Sequence, residues 1–267
     1  MLNLEGVGHP IMKIKGGKNN NKIVYVNPNF NDNTHKDTKK IKNAFHKIEL
    51  GDGEEFVPVP NNKINRNVNY IAGQSGSGKT YYTKLVVKEL LKQKPDIPVY
   101  LFSPFDEDES LDEINPQRVE IGMDLVTDPI DPKELKNSCV IFDDIDSIKL
   151  KTKKETREVK EAIHMLLHQC LEIGRHYNID VIQTNHLLCN GNETKRILNE
   201  SHHITFFPHS CGRMSAKRLC EEYGGIDMDT LKKIKKMKTR WTTIHKNFPI
   251  MVSTQKCIFN PNMDEED

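Results

Sequence analysis

Eight consecutive residues have the types and spacing needed to hold a chain of phosphates. Gly73, Gln74, Ser75, Gly76, Ser77, Gly78, Lys79 and Thr80 read GQSGSGKT and meet the pattern G-x-x-x-x-G-K-[ST] in full. The chemistry asks for glycines because successive backbone N–H groups must curl around the phosphates without a Cβ in the way. Lys79 is expected to reach the β- and γ-phosphates of ATP, and the Thr80 hydroxyl to ligate Mg²⁺. A second group follows about 60 residues later, where Val140-Ile141-Phe142 runs into Asp143 and Asp144. Asp143 is expected to hold the Mg²⁺ shell through water. Asp144, one position on, either polarises the attacking water or serves as a turn or N-cap carboxylate. The third group is Ile179-Asp180-Val181-Ile182-Gln183-Thr184-Asn185-His186, an apolar run ending in polar residues. Asn185 or His186, with Gln183 next, could sense the γ-phosphate and orient water, or merely cap a strand end.

These groups need a scaffold that brings them to one edge, and the pattern supplies it. From about Asn67 the chain alternates strands and helices, which predicts an α/β fold of the P-loop NTPase (RecA/FtsK-like) type with a mainly parallel sheet and helices on both faces. The expected strands are Val68–Ala72, Val99–Ser103, Cys139–Phe142, Ile179–Gln183 and His203–Phe207. Helices are expected from Lys79 to about Gln93 and from about Lys154 to Ile173, where Ile163, Leu166, Leu167, Cys170 and Leu171 recur at helical spacing. Two further helices, near 216–223 and 228–237, precede β-like runs at Trp241–His245 and Ile250–Ser253. In a parallel sheet the C-terminal strand ends form the ligand edge, so the glycine loop, the paired aspartates and the polar strand end converge there. Residues 1–65 form a small N-terminal extension, irregular or β, with β-like runs at Ile23–Val26, Ile48–Leu50 and Phe56–Val59. Residues 66–260 make the P-loop domain, and 261–267 an acidic tail.

Composition narrows the class. Lys plus Arg (39) and Asp plus Glu (38) nearly cancel, so no global field points to nucleic acid or membrane, and such affinity must come from local clusters. Two clusters exist: Lys149, Lys151, Lys153, Lys154 and Arg157 directly after the aspartates, and Lys232, Lys233, Lys235, Lys236, Lys238 and Arg240 before Trp241. Each either binds DNA phosphates or forms a solvated helix face. Six cysteines with no CxxC pair, no secretory apolar region in Met1–Pro10 and no membrane-length apolar run predict a soluble protein with reduced thiols. Histidines at 164 and 168 lack the glutamate of a zinc hydrolase motif, and His202, His203, His209 and Cys211 are expected to be structural or at the surface. Neither the Asn-Lys-x-Asp guanine reader of GTPases nor the LSGGQ transporter signature is found. Arg196, on a short helix, is a candidate for stabilising phosphate charge in its own subunit or a neighbour's, or an ordinary ion-pairing residue; Arg175 and His176 are a second possibility.

GQSGSGKT, VIFDD, GRHYNIDVIQTNH and KRILNESHHITFFP, in this order, resemble the genome-packaging ATPases of large DNA viruses and virophages, members of the HerA/FtsK superfamily. YGGIDMDTLKKIKKMKTRW and NFPIMVST extend the resemblance, which spans about residues 67 to 256. It implies a homo-oligomeric ring, hexameric in form, that hydrolyses ATP to drive double-stranded DNA into a capsid, working with capsid vertex proteins. It places the protein in the host cytoplasm, the viral factory or the virion, with no membrane partner. Lysines 149–154 would then face a central pore and Arg196 would act in trans. Cellular members of the superfamily typically end the sensor strand with glutamine, whereas this strand end reads Thr184-Asn185-His186. Two rivals are a small-molecule or nucleoside kinase, which would need an arginine-rich lid that the sequence does not show, and a non-catalytic nucleotide-switch assembly protein.

Overall fold

Short runs of alternating apolar residues build the N-terminal strands. In the computed structural model, which describes residues 1–28 and 45–262, these are β1 (Leu2–Asn3), β2 (His9–Lys15), β3 (Ile23–Val26), β4 (Lys47–Glu49) and β5 (Glu55–Pro58). The order β1-β3-β2-β5 gives an antiparallel sheet. Its core comes from Ile11, Met12, Ile14, Val24, Val26 and Phe56. Strand β2, the longest here, is absent from the sequence reading. Its register shifts between Pro10 and Met12, so Ile11 and Met12 are both buried and the period-2 alternation is broken.

Residues 65–201 form a compact unit of their own. Strand β6 (Val68–Ala72) leads through the glycine loop into α1 (Lys79–Gln93). Then come β7 (Val99–Phe102), α2 (Glu109–Asp112), β8 (Gln117–Arg118), α3 (Asp124–Thr127), β9 (Cys139–Phe142), α4 (Lys153–Ile173), β10 (Asp180–Asn185) and α5 (Gly191–Glu200). The strands lie in the order β6-β10-β9-β7-β8, and every pairing among them is parallel. Strand β10 therefore runs between the strand that feeds the glycine loop and the strand that ends in the aspartates. It extends two residues beyond the expected end, taking in Thr184 and Asn185. Helix α4 starts on a capping box, with Thr152 accepting from Glu155 N and the Glu155 side chain accepting from Thr152 N. It buries Val159, Ile163, Leu166, Leu167, Cys170 and Leu171 at three-to-four spacing. At its far end the buried Arg66 guanidinium donates to the carbonyls of Cys170 and Leu171, filling acceptors that the helix leaves open.

The rest of the chain adds β11 (His203–Phe206), α6 (Arg213–Arg218), α7 (Met228–Lys236), β12 (Thr242–His245), β13 (Met251–Thr254) and β14 (Cys257–Phe259). Helix α6 passes directly into a π-helical turn over Leu219–Gly224. The strands run β4-β14-β13-β12-β11, antiparallel throughout. Residues 202–267 group with 1–64 in one compact unit, and 65–201 make up the other. Within the first, Lys47–Glu49 find their partners in Cys257–Phe259. The expected acidic tail at Asp264–Asp267 lies outside the described residues. No helix among the described residues is long and apolar enough to cross a membrane.

Candidate nucleotide site

The glycine loop spans Gly73 to Gly78, between β6 and α1. Gly76 (φ 74°) and Gly78 (φ 107°) adopt left-handed backbone that other residues reach only with strain. Gly78 caps α1 without any side-chain acceptor, and the first turn carries no acid, so the positive end of a 15-residue helix is left to face the loop. Such an end is a ready anion site. Gln74, Ser75 and Gly76 are exposed, and Thr80 lies half-buried in the first helical turn. The Ser77 hydroxyl is buried without a hydrogen-bond partner among the described residues. Lys79 is 5% exposed, with its Nζ 3.4 Å from Asp144 Oδ2 and 3.4 Å from His186 Nδ1.

The two aspartates sit differently. Asp143 is 1% exposed; its Oδ1 accepts from Thr184 Oγ1 at 2.8 Å and its Oδ2 from Ser103 Oγ at 3.3 Å. Burial pushes its carboxyl up to about 6, with the neighbouring Asp144 charge adding to the rise while the two hydroxyls oppose it. Asp144 turns into the left-handed region (φ 43°), where the chain leaves β9 for a 3₁₀ turn at Ile145–Ser147. Its Oδ2 meets Lys79 and, at 3.2 Å, His186 Nε2. Its backbone N–H donates to Thr184 Oγ1 at 3.0 Å. The Thr184 hydroxyl thus ties both aspartates to β10, and it is, with Ser103, a site residue that sequence reading missed. For Thr184 the only available signal was parity, because Gln183 lies opposite Phe142 and the next residue must fall beside Asp143.

Among the sensor candidates, Gln183 is buried within β10 and its Oε1 has no partner among the described residues. Asn185 donates from Nδ2 to Asp146 Oδ2 at 2.9 Å and accepts Leu187 N at 2.9 Å, while its carbonyl accepts Gly73 N at 3.0 Å. That last bond joins the strand end to the first residue of the glycine loop. His186, at the turn beyond, touches Lys79 and Asp144 as above.

Other candidates lie apart from this group. Arg196 on α5 is ion-paired with Glu172 on α4, and both are exposed. Arg175 and His176 occupy a 3₁₀ turn that precedes β10, at the sheet edge opposite the glycine loop of their own chain. Lys149, Lys151, Lys153 and Lys154 are all exposed on the segment after the aspartates. In the second cluster, Lys232, Lys233 and Lys236 project from α7, which buries Thr230, Leu231 and Ile234. No group of metal-ligating His, Cys, Asp or Glu side chains is found among the described residues. His164 instead meets Asp146 at 2.9 Å, and His203 meets His245 at 3.0 Å. The donor set of Thr80 hydroxyl and Asp143 carboxylate, completed by phosphate oxygens and water, is the all-oxygen chemistry that Mg²⁺ takes, and a buried carboxylate held off its ordinary ionisation fits a nearby cation.

Comparison with known proteins agrees with this arrangement. The model of the ATPase family associated with various cellular activities (AAA) matches residues 69–202. The uncharacterized protein V3 of Sputnik virophage is 36% identical over 255 residues, covering 94% of this chain and 95% of that protein. Among solved structures, the pCW3 conjugation coupling protein TcpA with ATPγS aligns at TM-score 0.51 and 15% identity, over 95% of this chain and 78% of that one. The genome packaging NTPase B204 of Sulfolobus turreted icosahedral virus 2 with AMPPCP aligns at TM-score 0.48 and 17% identity, over 72% of this chain and 98% of that one. The virophage relative and the ATPase family model together bear out the resemblance. With a P-loop NTPase fold, a family model over half its length and a relative along nearly all of it, the chain belongs to the AAA family of ATPases.

Proposed function

We propose that the protein is an ATP-driven motor that moves double-stranded DNA into a viral capsid, working as a homo-oligomeric ring at a capsid vertex. The supporting observation is continuity. One stretch, residues 139–154, runs from the strand ending in Asp143 and Asp144 straight into four exposed lysines. Contacts from lysine to phosphate carry no sequence information, as suits a motor that must pass any sequence.

Under this reading Lys79 turns from Asp144 to the β- and γ-phosphates when ATP enters, and the loop N–H groups and the α1 terminus hold the rest of the phosphate chain. Asp144, released, accepts the proton of the attacking water. Asn185 and His186 hold that water and report the γ-phosphate, with Gln183 supporting them from within the strand. Thr80 and Asp143 would hold Mg²⁺, which would supply positive charge against that of the phosphates. Arg196 acts on a neighbour's nucleotide once it leaves Glu172. The lysines at 149, 151, 153 and 154 grip the duplex backbone, in the host cytoplasm or viral factory where capsids fill.

The test is ATP turnover with and without double-stranded DNA, alongside the mass of the assembly in nucleotide. Duplex-stimulated turnover by a ring is the expected result. Turnover indifferent to DNA in assembled rings refutes the motor. Phosphorylation of an added acceptor would make it a kinase, and nucleotide binding without turnover would make it a switch protein.

A further inference from the structure

Asp146 belongs to neither the glycine loop nor the lysine segment, yet its bonds lead to both. Its Oδ2 accepts from Asn185 Nδ2 at 2.9 Å, and its Oδ1 meets His164 Nε2 on α4 at 2.9 Å. Its backbone carbonyl accepts the Lys160 ammonium. These bonds hold the Asp146 carboxyl below the usual carboxylate range, the His164 contact contributing most.

The same side chain lines an open basin of about 830 Å³, together with Lys149, Lys151, Lys153, Lys160 and His164. Lys154 and Arg157 face Glu158 and Glu161 at 3.8 Å, whereas Lys149, Lys151 and Lys153 make no ion pair among the described residues. Asp146, with Glu161 and Glu193, thus shares the basin with three of the lysines that the proposed function assigns to duplex phosphates.

We propose that Asp146 is a positioning residue that couples occupation of this basin by duplex DNA to ATP turnover, an inference that rests on the DNA reading above. The physical basis is competition. Phosphates entering the basin attract Lys160 and His164 and repel the Asp146 carboxylate at short range. The far end of the lysine segment is tethered, because Leu150 N donates to Thr156 Oγ1 at 2.9 Å, Thr156 Oγ1 donates to Thr152 O at 2.8 Å, and the capping box holds Thr152. Displacement therefore falls on Asp146 and on its bond to Asn185. Asn185 passes it in two directions, through its carbonyl to Gly73 N and through its side chain to Leu187 N, the turn that carries His186 against Lys79 and Asp144. The two states differ in whether Asn185 is held by Asp146, and DNA has unequal affinity for them, which is what a population shift requires.

The readout is the ratio of duplex-stimulated to unstimulated turnover, taken in one preparation so that any loss of folded protein cancels. Anisotropy of a labelled short DNA duplex gives binding separately. Asp146→Asn should bind the duplex undiminished while its stimulation ratio falls by at least about fivefold. The variant carrying Lys149→Ala, Lys151→Ala and Lys153→Ala should lose duplex affinity. A wild-type ratio in Asp146→Asn, with binding lost in the lysine variant, overturns the coupling and leaves the DNA surface standing. Unchanged duplex affinity in the lysine variant overturns the basin as the DNA site, and the coupling with it. Should Asp146→Asn fail to fold, His164→Phe removes the second tether, and an unchanged ratio there overturns the proposal equally.

Discussion

Asp143 and Asp144 are adjacent in sequence and opposite in electrostatic setting. One is sealed and held by two hydroxyls; the other faces a lysine and a histidine. Under the proposed function the first holds the cation and the second accepts the proton. Asparagine tolerates the left-handed backbone that Asp144 adopts (φ 43°), so Asp144→Asn should keep the turn and ATP binding. Its turnover should fall by about 10²–10⁴-fold, the usual worth of a general base. Full turnover in a phosphate-release assay would move the water-activating role elsewhere. Thr184→Val preserves shape but removes the donor to Asp143 and leaves Asp144 N–H buried without an acceptor. This should cost about 1–3 kcal/mol of stability and lower kcat, while Thr184→Ser restores both. Denaturant unfolding and steady-state kinetics on the two variants check it. Lys79, the glycines and the aspartates were legible because their chemistry is written in contiguous residue types. Thr184 was not, because its role depends on which face of β10 meets the neighbouring strand. The partner of Arg196 was equally hidden, since Glu172 sits on another helix.

At the scale of elements, the phosphate site is a strand–loop–helix unit whose loop works only with its backbone bent the left-handed way. Gly78→Ala forces an ordinary residue to φ 107° at the α1 N-cap, which should cost about 1–2 kcal/mol and swing the loop N–H groups off the phosphates. Nucleotide affinity measured by calorimetry should fall with stability; a variant that binds ATP normally would show that the loop's shape is not set there. Elements with local signals matched expectation closely. Strand β9 and helix α1 carry the expected bounds, and α4 begins at its capping box within a residue of the expected start. Strand β2 failed because the register shift between Pro10 and Met12 erases the alternation on which such readings depend. Strand β10 was read short because Thr184 and Asn185 look like loop residues, although bonds to Asp143 and Asp146 make them comfortable inside a sheet.

At the scale of the whole molecule, stability should depend on pH through a buried imidazole pair. His203 and His245 face each other across β11 and β12 at 3.0 Å, and His245 Nε2 meets Ser253 Oγ at 2.7 Å. Burial lowers both imidazoles, His245 to about 3 from an ordinary 6.5 and His203 well below its own ordinary value. Above 6.5 neither folded nor unfolded chain protonates the pair, and its contribution is complete. As pH falls through 6.5, the unfolded chain binds protons that the folded one refuses. Stability should then fall by up to about 1.4 kcal/mol per pH unit for each histidine, until the folded-state value is reached. Trp241, the sole tryptophan, is buried immediately before β12 and reports this region by fluorescence. An unfolding midpoint that is flat between pH 7 and about 4.5 would contradict the linkage.

The division of the chain also fixes an order of events during synthesis. Each strand from β6 to β10 has at least one partner within residues 65–201, whereas β4 waits for β14, and Lys256 reaches back to the Gly51 carbonyl across 205 positions. At ordinary elongation rates that interval is roughly 10–40 s. The nucleotide-binding half is therefore complete in sequence, and free to meet ATP, while an N-terminal strand edge still waits for residues the ribosome has not yet made.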